Sequence, residues 1–188
     1  GVVGFINLDG RPASLAILKK MTDEIYHRGP DGEGHWVKDN VAIGHRRLSI
    51  IDLTNDGYQP MLSKDGRYII SYNGEIYNFK ELRSFLKTKG YTFNSKTDTE
   101  VVLLSLVHWG IEALNKFNGM FAFAFYDNFK KELIIARDRY GIKPLYYSIS
   151  DKVFSFGSEQ KSIILQPSFS RKIDLPALME YLTFQNIF

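Results

Sequence analysis

Four short stretches of this 188-residue chain carry residue types whose spacing can do chemistry. The first is His45-Arg46-Arg47-Leu48-Ser49-Ile50-Ile51-Asp52. A basic pair inside an apolar strand is costly unless an opposite charge meets it. That charge is either the carboxylate of a ligand, gripped by a planar Arg fork, or an Asp or Glu of the chain itself. The second is Tyr72-Asn73-Gly74-Glu75-Ile76-Tyr77-Asn78. Asn-Gly is a frequent hairpin-turn pair, so a plain turn after a strand over Arg67 to Tyr72 is one reading. The other is an oxyanion hole: the Asn73 amide and the following backbone N–H aim at one developing negative oxygen. Such a donor is worth ~3 kcal/mol of barrier, and glycine lets the backbone come close. The third is Thr97-Asp98-Thr99-Glu100, a capping box in which Asp98 either favours the helix N-terminus or receives a substrate ammonium group. The fourth, Arg137 to Tyr147, opens on Arg-Asp-Arg and holds Lys143-Pro144. It reads as a solvated connection with internal salt bridges or as a surface that meets a partner domain. Taken together, these groups describe an amino-acid site: a cation for a carboxylate, an anion for an ammonium, and an oxyanion cradle between. The constellation alone names no substrate.

The elements that must hold these residues follow from periodicity. Val2 to Leu8, His35 to Val37, Val41 to Ile51 and Tyr91 to Asn94 read as strands. Met120 to Tyr126 with Glu132 to Ala136, and Leu145 to Ile149 with Val153 to Phe156, read as hairpins. Pro12 can open a helix carrying Leu15, Leu18, Met21 and Ile25. Asn78 with Glu81 reads as the cap of a helix that Gly90 ends, and Thr97 opens an apolar helix. Further helical pieces are expected from Ile111 to Phe117, from Ser158 to Leu165 and from Leu175 to Tyr181. Phe121-Ala122-Phe123-Ala124-Phe125 is apolar on both faces and needs cover on both sides, which two packed sheets with helices outside supply.

Composition narrows the class. A hydrophobic content of 44% supports a sizeable core, and no apolar run approaches the ~18 residues of a membrane span. The net charge of +3 comes from scattered residues, which argues against nucleic acid. The absence of cysteine excludes a disulfide scaffold and suits a reducing cytosol, so a cytoplasmic location is expected. Gly1 cannot be a translation start, and Leu182 to Phe188 ends in an apolar run without a stop signal; a longer parent is expected on both counts.

The motifs, taken in order, resemble the glutaminase domain of glutamine-hydrolysing asparagine synthetases, a class II glutamine amidotransferase. They are Gly1-Val2-Val3-Gly4-Phe5, His27-Arg28-Gly29-Pro30-Asp31, Arg47 to Asp52, Tyr72 to Asn78, Thr97 to Glu100, Gly119 to Phe123, Arg137 to Tyr147 and Gly157-Ser158-Glu159-Gln160-Lys161. The resemblance implies an α+β fold, the four-layer αββα sandwich of the N-terminal-nucleophile hydrolases. It implies a glutaminase domain over residues 1–165, with 166–188 a linker and the start of an ATP-dependent synthetase domain. The nucleophile is a Cys standing directly before Gly1 in the family, its own α-amino group (pKa near ~7.8) taking the thiol proton (pKa near ~8.5). By motif, Asn73 and Gly74 form the oxyanion hole; Arg47, Leu48, Ser49, Ile50, Ile51, Glu75 and Asp98 bind glutamine with them, Arg47 taking the α-carboxylate and Asp98 the α-ammonium. No metal or cofactor is expected in this domain, and ATP and magnesium belong to the synthetase domain. The implied partners are glutamine and that C-terminal domain, with room for a homodimer. The same module serves glucosamine-phosphate synthase, phosphoribosyl-pyrophosphate amidotransferase and glutamate synthase; the short spacing from Arg47 to Asn73 to Asp98 favours the asparagine synthetase branch. Two alternatives stand beside it: amidation of another carboxylate, and a scaffold without nucleophile, as in β-lactam synthetases.

Overall fold

Side chains alternate across a strand, so a strand apolar on both faces must be covered twice. The structure, a computed structural model that describes residues 1–48 and 57–185, provides that cover with two sheets. The first sheet contains β1 (Val2–Asn7), β2 (Gly32–Lys38), β3 (Val41–Arg47), β8 (Tyr146–Ile149) and β9 (Val153–Gly157), in the order β2-β3-β1-β9-β8. The second contains β4 (Met61–Leu62), β5 (Tyr68–Ile76), β6 (Gly119–Asp127) and β7 (Glu132–Arg137), in that order. All strand pairs within the sheets are antiparallel.

Alternation sorts the apolar residues into three cores, one per layer boundary. Val2, Val41, Ile43, Ile69, Ala124, Tyr126 and Phe156 fill the space between the sheets. Val3, Phe5 and Ala42, on the opposite face of the first sheet, pack under Leu18, Met21 and Ile25 of the segment around helix α1 (Leu15–Glu24). Ile70, Tyr72, Phe121, Phe123 and Phe125 pack under α2 (Phe79–Thr88) and α3 (Asp98–Trp109). A short helix α4 (Gln160–Ile163) lies beside α1, and α5 (Leu175–Phe184) follows with no buried residue. The layers are therefore helix, sheet, sheet, helix, the αββα arrangement expected from the sequence. Among the described residues no helix is long and apolar enough to cross a membrane.

Several local expectations are corrected. Helix α1 starts at Leu15, capped by the Ser14 side chain, rather than at Pro12. Tyr91 to Asn94 forms no strand. Asn78 precedes α2 but does not cap it: its Oδ1 accepts from Asn118 N at 3.1 Å and its Nδ2 donates to Lys116 O at 2.9 Å, tying α2 to the segment before β6. In the predicted box at α3, Thr97 Oγ1 does accept from Glu100 N, but the Glu100 carboxylate turns to the backbone N–H groups of Asn94 and Ser95. β3 ends at Arg47; Ser49, Ile50 and Ile51 lie outside the described residues.

Candidate active site

The Arg pair is divided by strand alternation. Arg46 points toward α1, where its Nε donates to Thr22 O at 3.1 Å and its guanidinium pairs with Asp23 and, at 2.8 Å, with Glu33. The internal-pair reading holds for Arg46, and Arg47 emerges on the other face of the strand. The Arg47 guanidinium lies 5.3 Å from the Tyr58 ring centroid, at the wall of a cleft of about 460 Å³. His45 shares that face. Its Nδ1 lies 3.1 Å from Ser71 Oγ in the facing sheet, and Ser71 donates to Gly44 O at 3.0 Å. Burial, then the Gly1 amino group and Arg47, hold the His45 imidazole well below the usual pKa, so it is neutral.

Asn73-Gly74 is no turn. Both residues lie inside β5, which runs on to Ile76, with Asn73 opposite Ala122 and Gly74 opposite Phe121. Glycine is required for a different reason: a Cβ at 74 would strike the Met120 carbonyl oxygen and the Phe121 backbone of β6. Asn73 shares the inner face with Ile69 and Ser71 and borders the cleft. Its Nδ2 is buried and has no hydrogen-bond partner among the described residues. A buried donor left unbonded costs about 1–3 kcal/mol, so it marks a place where a ligand atom is expected. Glu75 and Leu48 are exposed and stand at the rim of the same cleft.

Asp98 is the first residue of α3, but the capping is done by Thr97. The Asp98 carboxylate is buried at the cleft; its Oδ2 accepts from the Tyr72 hydroxyl at 2.8 Å and from Ile76 N at 3.0 Å. Burial raises its pKa above the ordinary carboxylate value, against these hydrogen bonds. A raised carboxylate in a cleft is one short of cationic company.

The Gly1 amino group closes the cleft at the end of β1. It donates to Arg46 O at 2.5 Å, and burial, then Arg28 and Lys143, lower its pKa to about 5. The fourth sequence signal divides as the Arg pair does. Asp138 accepts from the backbone N–H groups of Phe121, Tyr140, Ile142 and Lys143, and Arg137 Nε donates to Lys143 O at 3.1 Å, so most of the run is internally bonded. Only Lys143 reaches the cleft.

The structure thus brings Arg47, Leu48, Asn73, Gly74, Glu75 and Asp98 to one cleft. Further cleft residues were given no role from sequence, His45, Tyr72 and Gln59 among them. His45 is recoverable from period two with Arg47, and Tyr72 from sharing a strand face with Ile76. Gln59, whose Oε1 accepts from Tyr72 N at 2.6 Å, carries no local signal. Among the described residues no group of three or more His, Cys, Asp or Glu side chains can hold a metal ion.

Comparison with known proteins places the chain in a family. The chain is 48% identical over 170 residues to asparagine synthetase [glutamine-hydrolyzing] 1 of Bacillus subtilis, covering 90% of this chain and 26% of that protein. It is 39% identical over 149 residues to amidase chry2 of Gibberella zeae, covering 78% of this chain and 22% of that protein. The chain therefore spans about a quarter of the length of these curated relatives. In fold it resembles the glutamine phosphoribosylpyrophosphate amidotransferase of Bacillus subtilis, with a TM-score of 0.73 at 22% identity over 87% of this chain and 43% of that one. The model of the glutamine amidotransferase domain family matches residues 1–188, and the chain belongs to that family.

Proposed function

We propose that this domain, within its parent protein, hydrolyses the side-chain amide of glutamine to glutamate and ammonia. The observation that carries the reading is the buried Asn73 Nδ2, without a hydrogen-bond partner among the described residues, in a cleft flanked by Arg47 and Asp98. Glutamine has the matching complement: an α-carboxylate for the Arg47 fork, an α-ammonium for Asp98, and an amide oxygen that gains charge on attack. The Asn73 amide and the Gly74 N–H receive that oxygen. Leu48 and Glu75 line the rim, and Ser49, Ile50 and Ile51, beyond the described residues, are proposed to complete the pocket.

The nucleophile is proposed to be a Cys joined to the Gly1 nitrogen. The register supports this position. Gly1 and Arg46 exchange both backbone hydrogen bonds, Gly1 N to Arg46 O at 2.5 Å and Arg46 N to Gly1 O at 2.8 Å, and Val2 sits opposite His45. One more residue on β1 would stand opposite Arg47, its side chain on the face of Val2 and so toward the cleft. The free α-amino group of that Cys is proposed as the base. That base takes the thiol proton as sulfur attacks the amide carbon. The same proton is then given to the departing ammonia, and water hydrolyses the thioester.

By likeness to the asparagine synthetases, the ammonia is proposed to pass to a C-terminal synthetase domain that amidates aspartate, in the cytoplasm. By the same likeness, ATP and magnesium are proposed to belong to the synthetase domain of the parent. The test is direct. Protein with Cys before Gly1, incubated with glutamine, should release glutamate and ammonia in equal amounts. Intact protein with that Cys that forms no glutamate would overturn the proposal.

A further inference from the structure

Asp98 cannot recognise an ammonium group merely by being acidic. It is buried, and burial favours its protonated form. A neutral or freely rotating carboxyl would bind a cation poorly. Two donors converge on its Oδ2: the Tyr72 hydroxyl at 2.8 Å and the Ile76 backbone N–H at 3.0 Å. Ile76 is on the same face of β5 as Tyr72, four residues on, so one strand supplies both. Two bonds to a single oxygen fix the carboxylate plane and favour its ionised form.

Tyr72 is itself held rigidly. Its ring is buried in the core beneath α2 and α3, and its backbone N–H donates to Gln59 Oε1 at 2.6 Å. Gln59 Nε2 reaches Thr99 Oγ1, one residue past Asp98, at 3.4 Å. A chain of contacts therefore links β5, Gln59 and the first turn of α3 around the carboxylate. The Tyr72 hydroxyl is buried with Asp98 as its acceptor; its pKa is raised well above the usual value by burial, then by Asp98, so it stays a donor.

We propose that Tyr72 is the positioning residue that makes the site specific for an α-amino acid, by holding Asp98 ionised and aimed at the substrate ammonium. The inference rests on the glutaminase reading. It goes further in assigning the discrimination between glutamine and ligands without an α-amino group to the Tyr72–Asp98 pair rather than to Asp98 alone.

The experiment compares glutamine with its des-amino analogue, 4-carbamoylbutanoate, by calorimetric titration of the wild-type chain and of Tyr72→Phe. The wild type should bind glutamine in preference to the analogue. Tyr72→Phe keeps the ring in the core and removes one hydroxyl. It should weaken glutamine about tenfold, the scale of one hydrogen bond to a charged group, and leave the analogue within about twofold. Equal weakening of both ligands would mean a purely structural role and overturn the proposal, as would an unchanged preference. If the wild type binds neither ligand, the glutaminase reading fails first, and that outcome is distinct. Should Tyr72→Phe not fold, 3-fluorotyrosine at position 72 keeps the hydroxyl in place. Its fluorine resonance should shift on adding glutamine and not on adding the analogue; an equal shift with both would overturn the proposal.

Discussion

Asp98 and Asp138 both have little exposed surface beside the four-stranded sheet, Asp98 lying the deeper of the two, and their chemistry diverges. Burial pushes both carboxyls toward the neutral form. Asp138 answers with four backbone N–H groups, three from the turn that follows it and one from Phe121, and its pKa ends below the ordinary value. Asp98 is given the Tyr72 hydroxyl, the Ile76 strand N–H and the N–H groups of its own helix start, yet burial outweighs them and its pKa ends above it. The first carboxylate spends its acceptors on its own loop. The second is left under-compensated in a cleft. Strand alternation likewise sends Arg46 to Asp23 and Glu33 and Arg47 to the cleft wall beside Tyr58. Asp138 and Arg46 are satisfied within the fold, whereas Asn73 and Asp98 keep, among the described residues, a need that a ligand would meet.

The largest effect should come from the most conspicuous unmet need. Asn73→Ala, in protein carrying the Cys before Gly1, should lower glutaminase kcat by about 10²–10³-fold, the scale for one oxyanion donor. Glutamine affinity should change little, because the donor is used in the transition state. Steady-state kinetics with a direct binding measurement separates the two. A loss confined to KM would remove Asn73 from the oxyanion role.

Asp138→Ala should act on the other side of the comparison. It strands four backbone N–H groups, some of which can turn to water, so a destabilisation of about 2 kcal/mol is expected. For a chain of this length that is roughly 5 °C in Tm. Glutamine affinity should stay within about twofold. A large loss of affinity without a change in Tm would place Asp138 in the site and dissolve the contrast.

What the sequence discloses follows the same division. The layer arrangement was legible because alternation and helical spacing report burial directly, as in Phe121 to Phe125 and in Leu18, Met21 and Ile25. The site types were legible as residue classes. Their geometry was less so, because it depends on pairing between distant segments. Asn73-Gly74 has the local signature of a turn, yet β6 draws it into a long strand, and the glycine serves that close approach. Asp98 looks like a cap until Thr97 is seen to fill that role and Tyr72 is seen across the gap. Gln59 shows nothing locally; its function is a bond to the Tyr72 backbone.

The smallest effect tests the comparison through pH. The folded pKa of Asp98 is raised, so its contribution to stability is fully present below the ordinary carboxylate pKa and is lost as pH rises through the folded value. At neutral pH the ionised Asp98 of the free protein is therefore a cost. Asp98→Asn keeps an oxygen acceptor for Tyr72 and Ile76 without the charge, and it should melt at or above the wild type at pH 7. That advantage should shrink on acidification as the wild-type carboxyl takes up its proton. Asp138 has the opposite sign: its depressed folded pKa gives stability above the ordinary value, lost as pH falls through the folded one. Asp138→Asn should therefore melt below the wild type at pH 7, the gap closing in acid. Melting curves of the three proteins between pH 7 and pH 3 would show the two variants approaching the wild type from opposite sides. If both approach it from below, the Asp98 charge is structural, and the stability it costs cannot be reserved for a ligand.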